Sequence, residues 1–495
     1  MMTASKTALA SLGLLCGLGL SVTACPASLD DRCADGACVA ATSPVEGGAD
    51  VVDGGADSAV PIDPCVDTPT DAKCLDESTA LFVSTTADAA AADGSRARPF
   101  KTIMAGLAAV TATRKRIYVC EGDYLEKVVV QTNVSMLGGL RCDWTGKGAN
   151  PRIAPPKGVA LSIVKSNGVV VTDLDVEGNA DPLVDGDSAI GAFVSESQGV
   201  LLRRVSLKAG PGTKGAIGPD GDASPNHAGG LAPSGLNTGT SAAADAPVCP
   251  ACADTTFSAG GKGAAFPGAP AAGSANPVVG IDNSGGTVGG VCSPGGPGAP
   301  GLAATAALAA TTPGSLKTSG WDSSPSAKKG ANGKPGQGGG GGGSEAGIGG
   351  GSGGCGGCGG TGGAPGGNGG VSVALASFDS DVTVEDSSLT ASVGGVGGSG
   401  GKGQNGQLRG GPGTGACLGG AGGHGAGGGG GAGGAGGHSA AIAHSGKAPT
   451  PKNCTLKHGL GGDLGTGGAN GTSTGNPGAA GNNGAKGLEA DILPL

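Results

Sequence analysis

Gly168-Val169-Val170-Val171-Thr172-Asp173-Leu174-Asp175-Val176 decides the fold, because the chain repeats its pattern. It lies over Gly199-Val200-Leu201-Leu202-Arg203-Arg204-Val205-Ser206-Leu207 and over Asp381-Val382-Thr383-Val384-Glu385-Asp386-Ser387-Ser388-Leu389. The first, third and last apolar positions agree, and a polar residue marks a bend between two strand pieces. A matching short strand precedes each copy: Ala160–Val164, Ala189–Val194 and Val371–Leu375. A fourth, weaker copy runs from Ala440-Ala441-Ile442-Ala443 to Asn453-Cys454-Thr455-Leu456. Such a unit cannot cover its own apolar face, so copies must stack, with coils about 4.8 Å apart.

Upstream, order begins at Leu81-Phe82-Val83-Ser84 and continues through Pro99-Phe100-Lys101-Thr102-Ile103 into an Ala- and Leu-rich stretch of helical spacing. Arg116-Ile117-Tyr118-Val119-Cys120, a turn at Glu121-Gly122-Asp123-Tyr124, and Val128-Val129-Val130 follow. This order resembles the N-terminal portion of the pectin-lyase-like right-handed β-helix superfamily, over roughly residues 79–207. The resemblance implies a capping helix followed by stacked coils. It implies no activity, because the superfamily holds lyases, hydrolases and adhesins. Fold class is therefore expected to be all-β: a short right-handed parallel β-helix with glycine-rich insertions on one corner.

Those insertions leave at one shared point, just after Leu207, Leu389 and Leu456, so stacked coils would set them side by side. Glycine recurs every third residue at Gly212–Gly221, Gly394–Gly406 and Gly475–Gly487. Period three is the repeat of polyproline-II and polyglycine-II helices. Glycine at each third place lets such helices pack closely. Composition alone favours a flexible linker instead, so the insertions are polyglycine-II-like or disordered. Proline is too sparse for collagen.

Before the repeats, Lys6, the apolar Ala8–Val22 and a cut site have the three parts of an export signal. Val22-Thr23-Ala24-Cys25 resembles the bacterial lipobox, which implies lipidation of Cys25 and a membrane anchor. Pro26 favours the outer membrane, with the protein exported to its periplasmic or cell-surface face. The expected organisation is a signal peptide 1–24, an acidic flexible spacer 25–75 and a capping segment with first coils 76–207. After these come an insertion 208–370, a coil 371–390, an insertion 391–438, a coil 439–456 and a glycine-rich C-terminal segment 457–495.

Net charge is −9 and no basic patch adjoins aromatic residues, so nucleic acid is not an expected partner. Trp144, Trp321, Tyr118 and Tyr124 are the only large amphipathic aromatics, which argues against a deep sugar cleft. Of 15 cysteines, Cys16 leaves with the signal and Cys25 carries lipid. An exported chain favours disulfides: Cys33 with Cys38, Cys65 with Cys74, and Cys120 with Cys142 are plausible local pairs. Cys249-Pro250-Ala251-Cys252 and Cys355-Gly356-Gly357-Cys358 look like redox or zinc half-sites. They lie too far apart in sequence for paired zinc ligands and lack a helix N-terminus to lower a thiol pKa. Staples across the glycine-rich loops are the preferred reading.

Catalysis on such a fold would need clustered carboxylates on neighbouring coils. Asp173 is matched by Arg204 and Asp386, and Asp175 by Ser206 and Ser388, so no cluster is expected. Asp181, Asp185 and Asp187 sit in a loop that could hold calcium, or are solvated turn residues. His424, His438, His444 and His458 lack metal-ligand spacing. No cofactor or metal is expected. The reading is a surface structural or adhesive lipoprotein without catalysis, meeting the membrane through its lipid and polysaccharide or other surface proteins through its fold. The alternative is a carbohydrate-active β-helix.

Overall fold

The computed structural model describes residues 63–495 apart from 223–230, 253–257, 270–288, 290, 292 and 324–326. Cys25, Cys33, Cys38 and the signal lie outside the described residues. Strand β1 (Ala80–Val83) is followed by a short helix, α1 (Ile103–Ala108). Thr102 caps this helix by accepting the Ala105 amide at 3.1 Å, and Glu126 accepts the Ile103 and Met104 amides at 2.8 and 3.1 Å. Ile103 is buried against the first coil, so α1 closes one end of the core.

Strands β2 (Arg116–Cys120), β3 (Asp123–Tyr124), β4 (Val128–Val130), β5 (Ser135–Leu140), β6 (Arg152–Ile153) and β7 (Leu161–Val164) come next. β8 (Val170–Thr172), β9 (Asp175–Gly178), β10 (Ala189–Ser195), β11 (Val200–Arg203) and β12 (Ser206–Ala209) continue the series. After a hairpin, β13 (Ser315–Lys317) and β14 (Gly320–Asp322), it resumes with β15 (Ser372–Phe378), β16 (Val382–Glu385) and β17 (Ser388–Ala391). β18 (Ser439–Ser445), β19 (Thr450–Lys452), β20 (Thr455–Lys457) and β21 (Glu489–Pro494) complete it.

Apart from the antiparallel β13–β14 hairpin, these strands form three parallel sheets. The first runs β1-β2-β5-β8-β11-β16-β19, the second β3-β6-β9-β12-β17-β20 and the third β4-β7-β10-β15-β18-β21. Each coil contributes one strand to each sheet. The pairing keeps the register of the sequence repeats: Leu201 stands between Val170 and Thr383, and Leu389 between Leu207 and Leu456. Columns such as Val128, Leu161, Ala192, Leu375 and Ile442 therefore fill the interior. Each larger aliphatic side chain there contributes about 1.5–3 kcal/mol by burial.

Bends between the first and second sheets fall at Asp173, Arg204, Asp386 and Asn453, all with φ near +50°. Between the third and first sheets a buried serine ladder takes over. The Ser197 hydroxyl accepts the Ser166 amide, and the Ser380 hydroxyl accepts the Ser197 amide. Buried amides at the turns are thus satisfied coil by coil.

The glycine-rich segments are packed chains. Gly212, Gly215, Gly218 and Gly221 donate to the carbonyls of Val393, Val396, Ser399 and Lys402, one bond per three residues. Chain 419–437 lies amid six others, bonded at 2.8–2.9 Å to Ala331, Gly363, Gly401, Gly468, Ala479 and Gly301. None of the glycines from 392 to 437 has a positive φ. They are needed for close approach: a Cβ on Gly431 would stand 1.9 Å from the Ala364 carbonyl oxygen. This is polyglycine-II-like packing, and the linker alternative does not hold for the described residues.

Three expectations need correction. The flexible spacer does not extend to residue 75, because Cys65, Val66, Cys74 and Leu75 are buried on the outer face of the first sheet beside Phe82, Tyr118 and Trp144. Insertion 208–370 is not all glycine chain, since β13–β14 lays Leu316 and Trp321 over Ile190 and Phe193 on the outside of the third sheet. The C-terminal glycine-rich segment ends in β21, which pairs with β18.

Candidate functional site

With the first sheet covered by residues 65–75 and the third by the hairpin, the second sheet has an open outer face among the described residues. Its strands show this in their alternation: in β9 and β17 every second residue is buried, whereas β10 is buried throughout. The outward positions are Asp175, Ser206, Ser388 and Thr455 in one row and Glu177, Lys208, Thr390 and Lys457 in the next.

At the edge of this face the bend column forms an ionic ladder. Arg204 grips Asp173 with two bonds of 2.8 Å and also donates to the Val66 carbonyl. This pairing raises the Arg204 pKa above its ordinary value, against a partial desolvation that lowers it. Arg203 meets Asp67 at 3.0 Å and Asp386 at 3.6 Å, and Asn453 donates to Asp386. Asp173 and Asp386 are therefore separated and neutralised by arginine. Asp175 accepts from Asn150 at 3.2 Å, with the Ser206 hydroxyl position next to it in register. A paired acid and base across neighbouring coils is not formed by these residues.

Clefts along the face are shallow. One of about 480 Å³ is lined by Asn150, Arg204, Ser206, Ser388, Asn453 and Thr455 among others. Another of about 300 Å³ lies between Glu177, Lys208 and Thr390.

Asp181, Asp185 and Asp187 do not converge as ligands. Asp181 pairs with Lys157 at 2.7 Å, which lowers its pKa, and Asp187 accepts the Asp181 amide. Their loop instead seats the bundle: Gly186 donates to Lys214 and Thr213 donates to Asp187. No group of three or more metal-ligating side chains occurs among the described residues. The histidines are dispersed. His424 accepts the Arg409 amide, His444 and His458 contact nearby carbonyls, and His438 is buried.

Cys65 is bonded to Cys74 and Cys120 to Cys142. Cys249 is bonded to Cys355 and Cys252 to Cys358. A three-residue spacing in a three-per-turn chain puts both cysteines on one side, so the two motifs face each other as a double staple. Sequence spacing alone resembles redox or zinc half-sites, with staples the preferred reading, and does not fix which cysteines pair. A further site escaped the sequence entirely. His438 Nδ1 accepts the Leu488 amide at 2.9 Å, and its ring meets Trp321 edge-on at 6.0 Å.

No family model matches the chain, and no curated protein matches it. Among solved structures, a rhamnogalacturonan lyase aligns over 26% of this chain and 36% of its own length, at 13% identity and a TM-score of 0.19. At that score the likeness bears on neither fold nor activity.

Proposed function

We propose that the chain is a lipid-anchored bacterial surface protein with a structural or adhesive role and no catalytic activity, built on a short right-handed parallel β-helix. Right-handedness follows the near-universal hand of parallel crossover connections. The observation that carries the role is the placing of the two attachments. Asp63 binds Arg116 at 2.6 Å and Asp67 binds Arg203, so the chain arriving from the N-terminus is fastened to the first sheet. The glycine chains leave from the corner between the second and third sheets. In a three-sided stack that corner stands opposite the first sheet. The chain therefore enters, at Asp63, on the side of the stack away from the corner that bears the bundle.

The neutralised bend column supports the non-catalytic reading over a carbohydrate-active enzyme. Cell fractionation tests the anchor: Cys25→Ala should move the protein from the outer-membrane fraction to the soluble one. Retention of the variant in membranes overturns the lipoprotein reading. Release of unsaturated or reducing sugars from pectin or alginate by the purified protein overturns the absence of catalysis.

A further inference from the structure

The second sheet does not end where its strands end. Lys208 is in register with Thr390 in the strands. Twelve residues farther along each chain, the Asp220 carboxylate accepts the Lys402 amide at 2.7 Å, so the register is unchanged. The same holds on the other side. Thr390 faces Lys457 in the strands, and the Asn405 side chain accepts the Thr472 amide at 2.9 Å in the glycine chains. Chains 210–222, 392–407 and 458–472 thus extend β12, β17 and β20 as one layer, with every third side chain exposed. From Arg204 to Asp220 this face measures roughly 50 Å, taking about 3.3 Å per strand residue and 3.1 Å per residue beyond it.

Recesses follow that line. Beyond the two clefts on the sheet, a third of about 200 Å³ opens in the glycine layer, lined by Asp220, Lys402, Gln404 and Asn405 among others. Between them stand Val393 and Val396, 46% and 47% exposed, with Leu460 beside them at 64%. Recesses that each carry polar side chains therefore flank a small aliphatic platform. Charge is close to balanced along the track. Lys214 and Lys402 stand in the same layer as Asp220, Asp222 and Asp463, although the whole chain carries −9. No recess is deep enough to enclose a small molecule in the usual way. No aromatic anchor of the kind that dominates protein interfaces projects from these rows.

We infer that this continuous face is a docking track for an extended, uncharged polysaccharide. Such a chain offers hydroxyls to the clefts and C–H ring faces to the valines, repeats at constant spacing, and carries no net charge to be repelled. Affinity comes from many weak contacts along the track. The inference rests on the adhesive reading and names its partner.

The test is sedimentation of the full mature protein with insoluble cellulose, chitin and β-1,3-glucan, beside soluble alginate as an acidic control. Retention on at least one neutral polysaccharide is expected. The double variant Lys208→Ala/Lys402→Ala removes a donor from each of two clefts and should weaken retention at least tenfold. Thr390→Arg should obstruct the middle of the track. Lys334→Ala, on a chain across the bundle, should change nothing, and equal unfolding midpoints establish that all variants are folded. Absence of retention on every neutral polysaccharide, retention indifferent to the track variants, or binding confined to alginate each overturns the inference. Adherence to whole cells separates the two readings. Protein that adheres equally before and after digestion of the cells with cellulase, chitinase and β-1,3-glucanase refutes the polysaccharide track and leaves adhesion standing. Protein that adheres to neither cells nor polysaccharide refutes both.

Discussion

The coil stack and the glycine bundle are held together by opposite means. In the stack, inward side chains such as Leu161, Leu207 and Leu389 form the core, and the backbone bonds set the spacing. In the bundle, the backbones themselves are the core. Chain 419–437 has six bonded neighbours and almost no side chains between them beyond Ala426, Ala432 and Ala435. Removing atoms harms the stack, whereas adding atoms harms the bundle. The two meet at a neck, where the Ser372 hydroxyl binds Gly210 and Ser392, and the Ser439 hydroxyl binds Ser392 and Gly459.

The largest effect should come from separating the two regions. Deleting residues 211–369 would bring Gly210 next to Gly370 and let β12 and β15 remain neighbours. It would also strip three of the six chains from around 419–437 and remove Leu316 and Trp321 from Ile190, Phe193 and Val373. The cost is on the order of 5 kcal/mol from uncovered apolar surface alone. Amide exchange should show 392–437 unprotected while the strand circular-dichroism signal persists. A shortened protein as stable as the parent would mean that the bundle contributes nothing to the stack.

Next in size are the staples. Cys249–Cys355 and Cys252–Cys358 each close a long loop, with a sequence separation of 106. Loops of that length stabilise by about 4–5 kcal/mol in the chain-entropy view. Because the two bonds hold the same pair of chains, losing either one alone should cost far less than losing both. Replacing Cys252 and Cys358 by Ser, then all four, and following denaturant unfolding checks this. A cost for both pairs that is only about twice the cost of one pair would show that the staples act independently.

A single added side chain should follow. Gly431→Val places its Cβ 1.9 Å from the Ala364 carbonyl oxygen, inside a chain that cannot move outward. Overpacking of this kind costs about 3 kcal/mol. Leu207→Ala should cost a similar 2–5 kcal/mol through the cavity it leaves. Gly239→Ala, with nothing within 4 Å, should be neutral. Thermal unfolding of the three variants measures whether addition and removal hurt the two regions as the packing requires.

What could be read in the sequence follows the same division. Strand repeats were legible because alternating burial leaves a period of two and a fixed bend residue. The strict period-three glycines were legible for the same reason, at Gly212–Gly221 and Gly475–Gly487, which lie toward the outside of the bundle and face inward along one row. The dense tract Gly419–Gly437 also fits period three, but the match decides little, because a chain with neighbours on all sides carries glycine on all three rows, interrupted by the buried Ala426, Ala432 and Ala435. Residues 63–75 read as linker because Ala, Asp and Pro around a short disulfide loop, Cys65–Cys74, resemble linker composition. Strand β21 leaves little trace in the sequence because its alternation is weak, with Leu493 its only buried residue. The open face of the second sheet could not be found from any one segment. It exists because the other two faces are covered by pieces from elsewhere in the chain.

The smallest predicted effect probes the junction through His438. Burial lowers its pKa from 6.5 to about 4, and its Nδ1 must stay unprotonated to accept the Leu488 amide. In the unfolded chain the ring protonates near pH 6.5. Between pH 6.5 and 4 the unfolded state therefore binds the extra proton, and stability falls as pH falls. The contribution is fully present above pH 6.5, and about 2 kcal/mol of it is lost by pH 5. His438→Gln removes the titrating ring and should flatten this part of the profile at some cost in stability at pH 7. Unfolding midpoints for both proteins from pH 7.5 to 4.5 decide the matter. Parallel profiles would assign the acid sensitivity to groups elsewhere, and a steeper fall in the parent would place it where β21 and the Trp321 hairpin close over the third sheet.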